Sequence, residues 1–354
     1  MEQKEVSLEE VLRGIVPRDE EAVEVCWKRW DSIAKPLRSL GWMEDAITRI
    51  AGAQHTPNVK TDRKILVPFC ADNGIVEEGV TQTGQEVTAI VAENFLDEKS
   101  CAAIMCRESG TEIRPIDIGM VTDTPRVEKR KVAYGTKNFS KEPAMTREEA
   151  VRAVETGIHL AGELKEQGYG LIATGEMGIG NTTTSSAVAA SLLNVPAEEM
   201  TGRGAGLSLQ GLNRKIQVIR EAIERWDLTN QEPLTILAYV GGFDLAGMVG
   251  MYLGGAYYHV PVVIDGFISS VAALLAIRLC PEAKGYMLAS HVSKEPAARR
   301  VLQEVGLPPM IDGGLCLGEG SGAVAVFPLI EMANVIYQKM STFEQINVDA
   351  YQPL

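Results

Sequence analysis

The spacing of apolar residues changes once along the chain, and the change divides it. Up to about residue 60 the apolar positions recur at helical intervals. Ser7 with Glu10 three residues later has the form of a capping box. A second helix is expected after Pro17, through Trp27 and Trp30 to about Ile33. Lys35-Pro-Leu-Arg-Ser-Leu-Gly41 breaks it, and Met43 to Ala51 reads as a third helix. Beyond residue 60, short runs that are apolar throughout take over, at 65–70, 113–118, 171–174, 234–240, 260–264 and 286–289. Helical patterns separate them, at 86–96, 100–109, 147–167, 182–193, 211–226, 245–258, 267–279 and 296–305.

Wholly apolar strands alternating with helices predict an α/β fold: a doubly wound, mainly parallel six-stranded sheet covered on both faces. Residues 119–145, rich in Lys, Thr, Pro and Gly, read as an irregular or hairpin insertion. After Phe327 a last helix is expected over 328–345, followed by a tail. The expected organisation is an α/β catalytic domain over 61–329, with a small helical domain from residues 1–60 and 330–354.

Composition narrows the partner. The 354 residues carry a net charge of −13, from 34 Lys and Arg against 47 Asp and Glu. Nucleic-acid binding needs a basic face, so a small molecule is the expected partner. Six cysteines, with no Cys-x-x-Cys pair, indicate neither a zinc site nor a disulfide framework. The charged start Met-Glu-Gln-Lys-Glu lacks a signal-peptide core, and no apolar stretch is long enough to span a bilayer. A cytoplasmic protein is expected.

Candidate chemistry gathers where the apolar runs end. These ends read Ala71-Asp-Asn-Gly74, Thr174-Gly-Glu-Met-Gly-Ile-Gly-Asn-Thr-Thr183, Gly241-Gly-Phe-Asp244, Asp265-Gly-Phe267 and Ser290-His291. In open α/β sheets, ligands bind beyond the carboxyl ends of the strands. The Thr174–Thr183 turn could seat an anion at a helix N-terminus, but it lacks the Lys of a Walker loop. Thr201-Gly-Arg-Gly-Ala-Gly206 is a second glycine cluster, and Lys215 on the following helix could hold a phosphate. His291 is the one histidine near these ends. Asp312-Gly-Gly-Leu-Cys-Leu-Gly-Glu-Gly-Ser-Gly322 has five glycines in eleven residues, with Glu319 standing between two of them. Alone, each loop also reads as a plain glycine turn or a helix cap.

As an ordered set, the loops resemble the nicotinate-nucleotide–dimethylbenzimidazole phosphoribosyltransferase family. The resemblance rests on Gly175–Thr183, Gly241-Gly-Phe-Asp-Leu-Ala-Gly-Met248, Asp265-Gly-Phe267, Ser290-His291 and Leu317-Gly-Glu-Gly-Ser-Gly-Ala323. It implies a Rossmann-like sheet with a small helical domain from the chain ends, and a homodimer needing no metal or cofactor. It implies phosphoribosyl transfer from nicotinate mononucleotide to 5,6-dimethylbenzimidazole or a related base. By this resemblance Glu319 is the base and Glu176 a second catalytic carboxylate. Phosphate falls to Gly178, Gly180, Asn181, Gly202, Gly204 and Lys215. Asp244, Asp265 and Ser290 come with their motifs as substrate contacts, and Thr83, Val91 and Leu317 as walls for the aromatic base. The chain departs from the family's best-known pattern at Thr83 and Val91, where Ser and Gln are usual. It departs again at Asn73 within Asp72-Asn73-Gly74 and in the segment 35–41. Two other readings stay open: a non-catalytic nucleotide binder, and glycosyl transfer from phosphoribosyl pyrophosphate. Paired glutamates disfavour the first, and the lack of an acidic pair beside hydroxyls disfavours the second.

Overall fold

The computed structural model describes residues 6–351, so the charged start and the last three residues of the tail lie outside the described residues. Helices α1 (Leu8–Gly14), α2 (Glu20–Ser32) and α3 (Trp42–Gln54) come first. Ser7 and Glu10 form the capping box on α1. Strand β1 (Lys64–Ala71) is followed by α4 (Glu86–Leu96), α5 (Cys101–Glu108), β2 (Glu112–Ile113), β3 (Ile116–Gly119) and β4 (Glu128–Lys129). Then come α6 (Arg147–Glu166), β5 (Leu171–Met177), α7 (Asn181–Leu193), α8 (Ala197–Met200), α9 (Leu209–Arg225) and α10 (Pro233–Val240). The chain continues through α11 (Phe243–Tyr257), β6 (Val262–Ile264), α12 (Phe267–Leu279), β7 (Met287–Ala289), α13 (Ala298–Val305) and α14 (Ser321–Lys339).

The sheet runs β4-β3-β1-β5-β6-β7, with β2 also on β1, and its strand pairs are parallel. Alternate residues of β1 enter opposite cores. Ile65, Val67 and Phe69 join the apolar cluster shared with α1, α6, α7, α11 and α12. Leu66 and Cys70 join the cluster under α2, α3, α4, α5 and α14. Parallel register brings functional ends to one edge. Cys70 pairs with Met177, and Ile264 pairs with Ala289. Asp72, Glu176, Asp265 and Ser290 therefore emerge at the same rim.

Three expectations are corrected. The run 234–240 is helix α10 rather than a strand. A wholly apolar run carries no period, and Pro233 at the first helical turn presets the helix. The run 113–118 is split into β2 and β3 by Arg114-Pro115, because Pro donates nothing to a ladder. Of the two forms open for 119–145, the irregular one is found, with the short β4 lying parallel to β3 at the sheet edge. Arg114 and Arg130 anchor it by bridging Glu128 to Glu163 on α6. The last helix also starts seven residues before position 328 and carries Pro328 inside it. Among the described residues no helix is long and apolar enough to cross a membrane.

Candidate active site

The cleft begins at the turn from β5 to α7. Gly180 takes a left-handed φ of 96° and starts the helix without a side-chain cap. Gly178 packs so closely on Ala71 and Asp244 that a Cβ there would collide with both. Just before it, Glu176 is buried at the strand end. The Asn181 side-chain amide donates to Glu176 Oε2 and, at 3.1 Å, to Asp244 Oδ2. One amide thus bridges two buried carboxylates. Burial, reinforced by Asp244, pushes the Glu176 carboxyl up to about 8. Burial likewise raises Asp244 to about 6, against the bonds from Asn181 and the Leu245 N–H.

Asp265, the residue after β6, organises the opposite wall. It accepts N–H bonds from Gly320 (3.2 Å), Gly322 (2.7 Å) and Ala323 (3.1 Å). It therefore caps α14 from across the sheet, a service that Gly320 cannot perform for itself. This cap explains why the helix starts at Ser321. Burial raises Asp265 to about 7 in spite of those bonds. Ser290 Oγ donates to the Asp265 carbonyl at 3.1 Å and lies 3.0 Å from His291 Nδ1. His291 is held against Gly322, and its pKa is lowered by burial.

The cap presents Glu319. Gly318, Glu319 and Gly320 have successive φ values of 90°, 61° and 86°, all left-handed. A Cβ on Gly318 would strike Glu176, and one on Gly320 would strike Leu66 and the β5 backbone. Gly320→Ala is expected to cost on the order of 1–3 kcal/mol. Thermal denaturation checks it, and an unchanged melting temperature would refute the packing account. Glu319 Oε2 accepts from the Ala102 N–H at 3.2 Å. Burial raises the Glu319 carboxyl, opposed by that bond and by Ser100.

A cavity of about 290 Å³ lies between these walls. Glu176, Gly178, Asn181, Gly204, Asp265, Leu317 and Glu319 line it, as do His291 and Glu295. Gly180, Gly202, Lys215, Asp244 and Ser290 lie outside the lining. The Lys215 ammonium is buried and donates to Thr182 Oγ1 at 2.9 Å and to the Gly202 carbonyl at 3.3 Å. Burial lowers its pKa to about 8, opposed by Glu295. Thr83 is exposed and Val91 is half-buried on α4 against the apolar cluster, so neither lines this cavity. Sequence reasoning missed Ser100 and Glu295. Ser100 carried one signal, its place as an N-cap before α5, while nothing local marked Glu295.

A parallel open sheet with an acid-lined pocket beyond its strand ends defines an enzyme of the open α/β class, built to hold a small ligand at that rim. The chain belongs to the DBI_PRT phosphoribosyltransferase family, whose model matches residues 15–348. It is 44% identical over 353 residues to nicotinate-nucleotide–dimethylbenzimidazole phosphoribosyltransferase of Ruminiclostridium cellulolyticum, covering 99% of this chain and 100% of that one. The protein of that name from Clostridium acetobutylicum is 42% identical over 353 residues, with 99% and 100% covered. CobT of Thermus thermophilus matches with a TM-score of 0.88 at 38% identity, over 94% of this chain and 100% of that one. The family read from the loop motifs and the mainly parallel α/β sheet both hold.

Proposed function

We propose that the protein transfers the phosphoribosyl group of nicotinate mononucleotide to 5,6-dimethylbenzimidazole or a related base. The products are α-ribazole 5′-phosphate and nicotinate, with inversion at C1′, as a step of cobalamin biosynthesis. The observation that carries this reading is the charge layout of the cleft. Buried Glu176 and Asp265 line it, Asp244 stands behind them joined to Glu176 through Asn181, and the Lys215 ammonium stands behind Thr182 at the start of α7. Such a layout suits a donor that is cationic at its ring and anionic at its phosphate, which describes a pyridinium mononucleotide.

The chemistry needs little more. Nicotinate leaves with the electron pair of its bond to C1′, neutral at nitrogen, so no general acid is required. The acceptor attacks through the lone pair of one ring nitrogen. Its other nitrogen must then lose a proton, and Glu319 takes it. Glu176 stabilises the positive charge that develops on the ribose. Attack opposite the departing ring accounts for inversion.

We also read residues 61–329 as the catalytic domain and the chain ends as a small helical one, since α14 packs on α3 beside α2. A homodimer is inferred with it, supported by exposed Ile104 on α5 and Met332 and Val335 on the adjoining α14. The functional test supplies nicotinate mononucleotide with competing benzimidazoles, purines and phenols, and identifies products by mass. Nicotinate release with one α-linked ribotide dominating is expected. No turnover with any acceptor would overturn the reading.

A further inference from the structure

We propose that Ser100 and the first turn of α5 are the seat of Glu319, making Ser100 a positioning residue for the reaction. The inference rests on the reading of Glu319 as the base. Ser100 is the N-cap of α5, and its Oγ accepts from the Ala103 N–H at 3.2 Å. A hydroxyl that accepts there still has its own proton to give, and Ser100 counts, after Ala102, among the groups that hold the Glu319 carboxyl down against burial. The next free N–H of the turn, on Ala102, donates to Glu319 Oε2 at 3.2 Å. The Ala102 N–H, the Ser100 hydroxyl and the positive end of a helix therefore all favour the charged form of the base.

The seat answers a problem that the loop creates. Glu319 stands in a left-handed backbone between two glycines, in a turn capped by Asp265. Burial favours its neutral form, and a protonated Glu319 cannot accept a proton. The α5 terminus opposes burial and fixes the carboxylate's direction together. Other charged groups nearby do not share this task. Lys99 pairs with Asp97, Arg107 with Glu98 and Glu108. Glu176 meets Glu319 through the backbone N–H, and Asp265 meets the same loop at Gly320. His291 packs on Gly322.

Ser100 has a second duty, capping α5, and the test must separate the two. Asp caps helices as well as Ser does, but at position 100 it would set a carboxylate against Glu319. The measurement is the pH profile of kcat at saturating nicotinate mononucleotide and dimethylbenzimidazole, with melting temperatures alongside. Ser100→Thr should match the wild type. Ser100→Ala should move the acid limb to higher pH by about half a unit and lower kcat about fivefold at pH 7, both modest because one of two donors remains. Ser100→Asp should melt like the wild type at acid pH, where the two carboxyls are neutral, melt lower at neutral pH, and move the acid limb further, by about one unit or more. If Ser100→Asp keeps the wild-type profile, the seat is wrong. If instead Glu319→Gln retains full turnover, the reading of the base fails, whatever Ser100 does.

Discussion

Replacing Glu319 by Gln is expected to lower kcat by about 10²- to 10⁴-fold, the usual contribution of a positioned general base. KM for nicotinate mononucleotide should stay near its wild-type value, because the departing ring needs no acid and the phosphate is held elsewhere. Gln is close in size and shape to Glu, and the left-handed backbone at φ 61° is a property of the loop rather than of the charge. The Ala102 N–H keeps an oxygen acceptor in Gln. Stability should therefore change little, and removing a half-buried carboxylate offsets what is lost at the α5 terminus. Steady-state kinetics with a melting curve decide it. A kcat within a few fold of wild type would remove Glu319 from the chemistry. A large fall in melting temperature would mean that the loop had been lost instead.

The glycines make Glu319 and Glu176 legible in the sequence. Close backbone approach exacts glycine locally, so Gly178, Gly318 and Gly320 mark where carboxylates are exposed to a ligand. The strand ends are legible for a similar reason, because buried parallel strands are apolar throughout and stop abruptly at polar turns. The same signal misleads at 234–240, where an apolar run buried on most sides is helix α10. Pairings across long separations leave no local trace. Glu319 meets Ala102 over 217 positions, and Glu295 comes within electrostatic reach of Lys215 through the fold alone. Thr83 and Val91 depart from the family pattern visibly in the sequence, while their absence from the lining of this cavity is set by the fold.

Glu176→Gln is expected to lower kcat/KM for the donor by about 10²-fold, as loss of one preorganised charge does, and to change its pH dependence in a defined direction. The Glu176 carboxyl sits at about 8 against an ordinary 4.5, so near pH 7 it holds a proton that the unfolded chain has released. Its contribution to stability is therefore greatest at low pH and declines as pH rises from about 4.5 to about 8. A pyridinium ring beside it favours the carboxylate, so binding the donor expels that proton. Donor affinity should accordingly tighten as pH rises towards 8, then weaken as the buried Lys215, also near 8, loses its charge. In Glu176→Gln the upper part of the rising limb disappears, while the Lys215 limb stays. Asp244 and Asp265, near 6 and 7, retain a weaker rise below it. The variant's melting temperature should also fall less between pH 6 and 8 than the wild type's. Titration calorimetry in buffers of different ionisation enthalpy counts the proton directly. Equal proton release by wild type and variant would show that Glu176 does not face the cation.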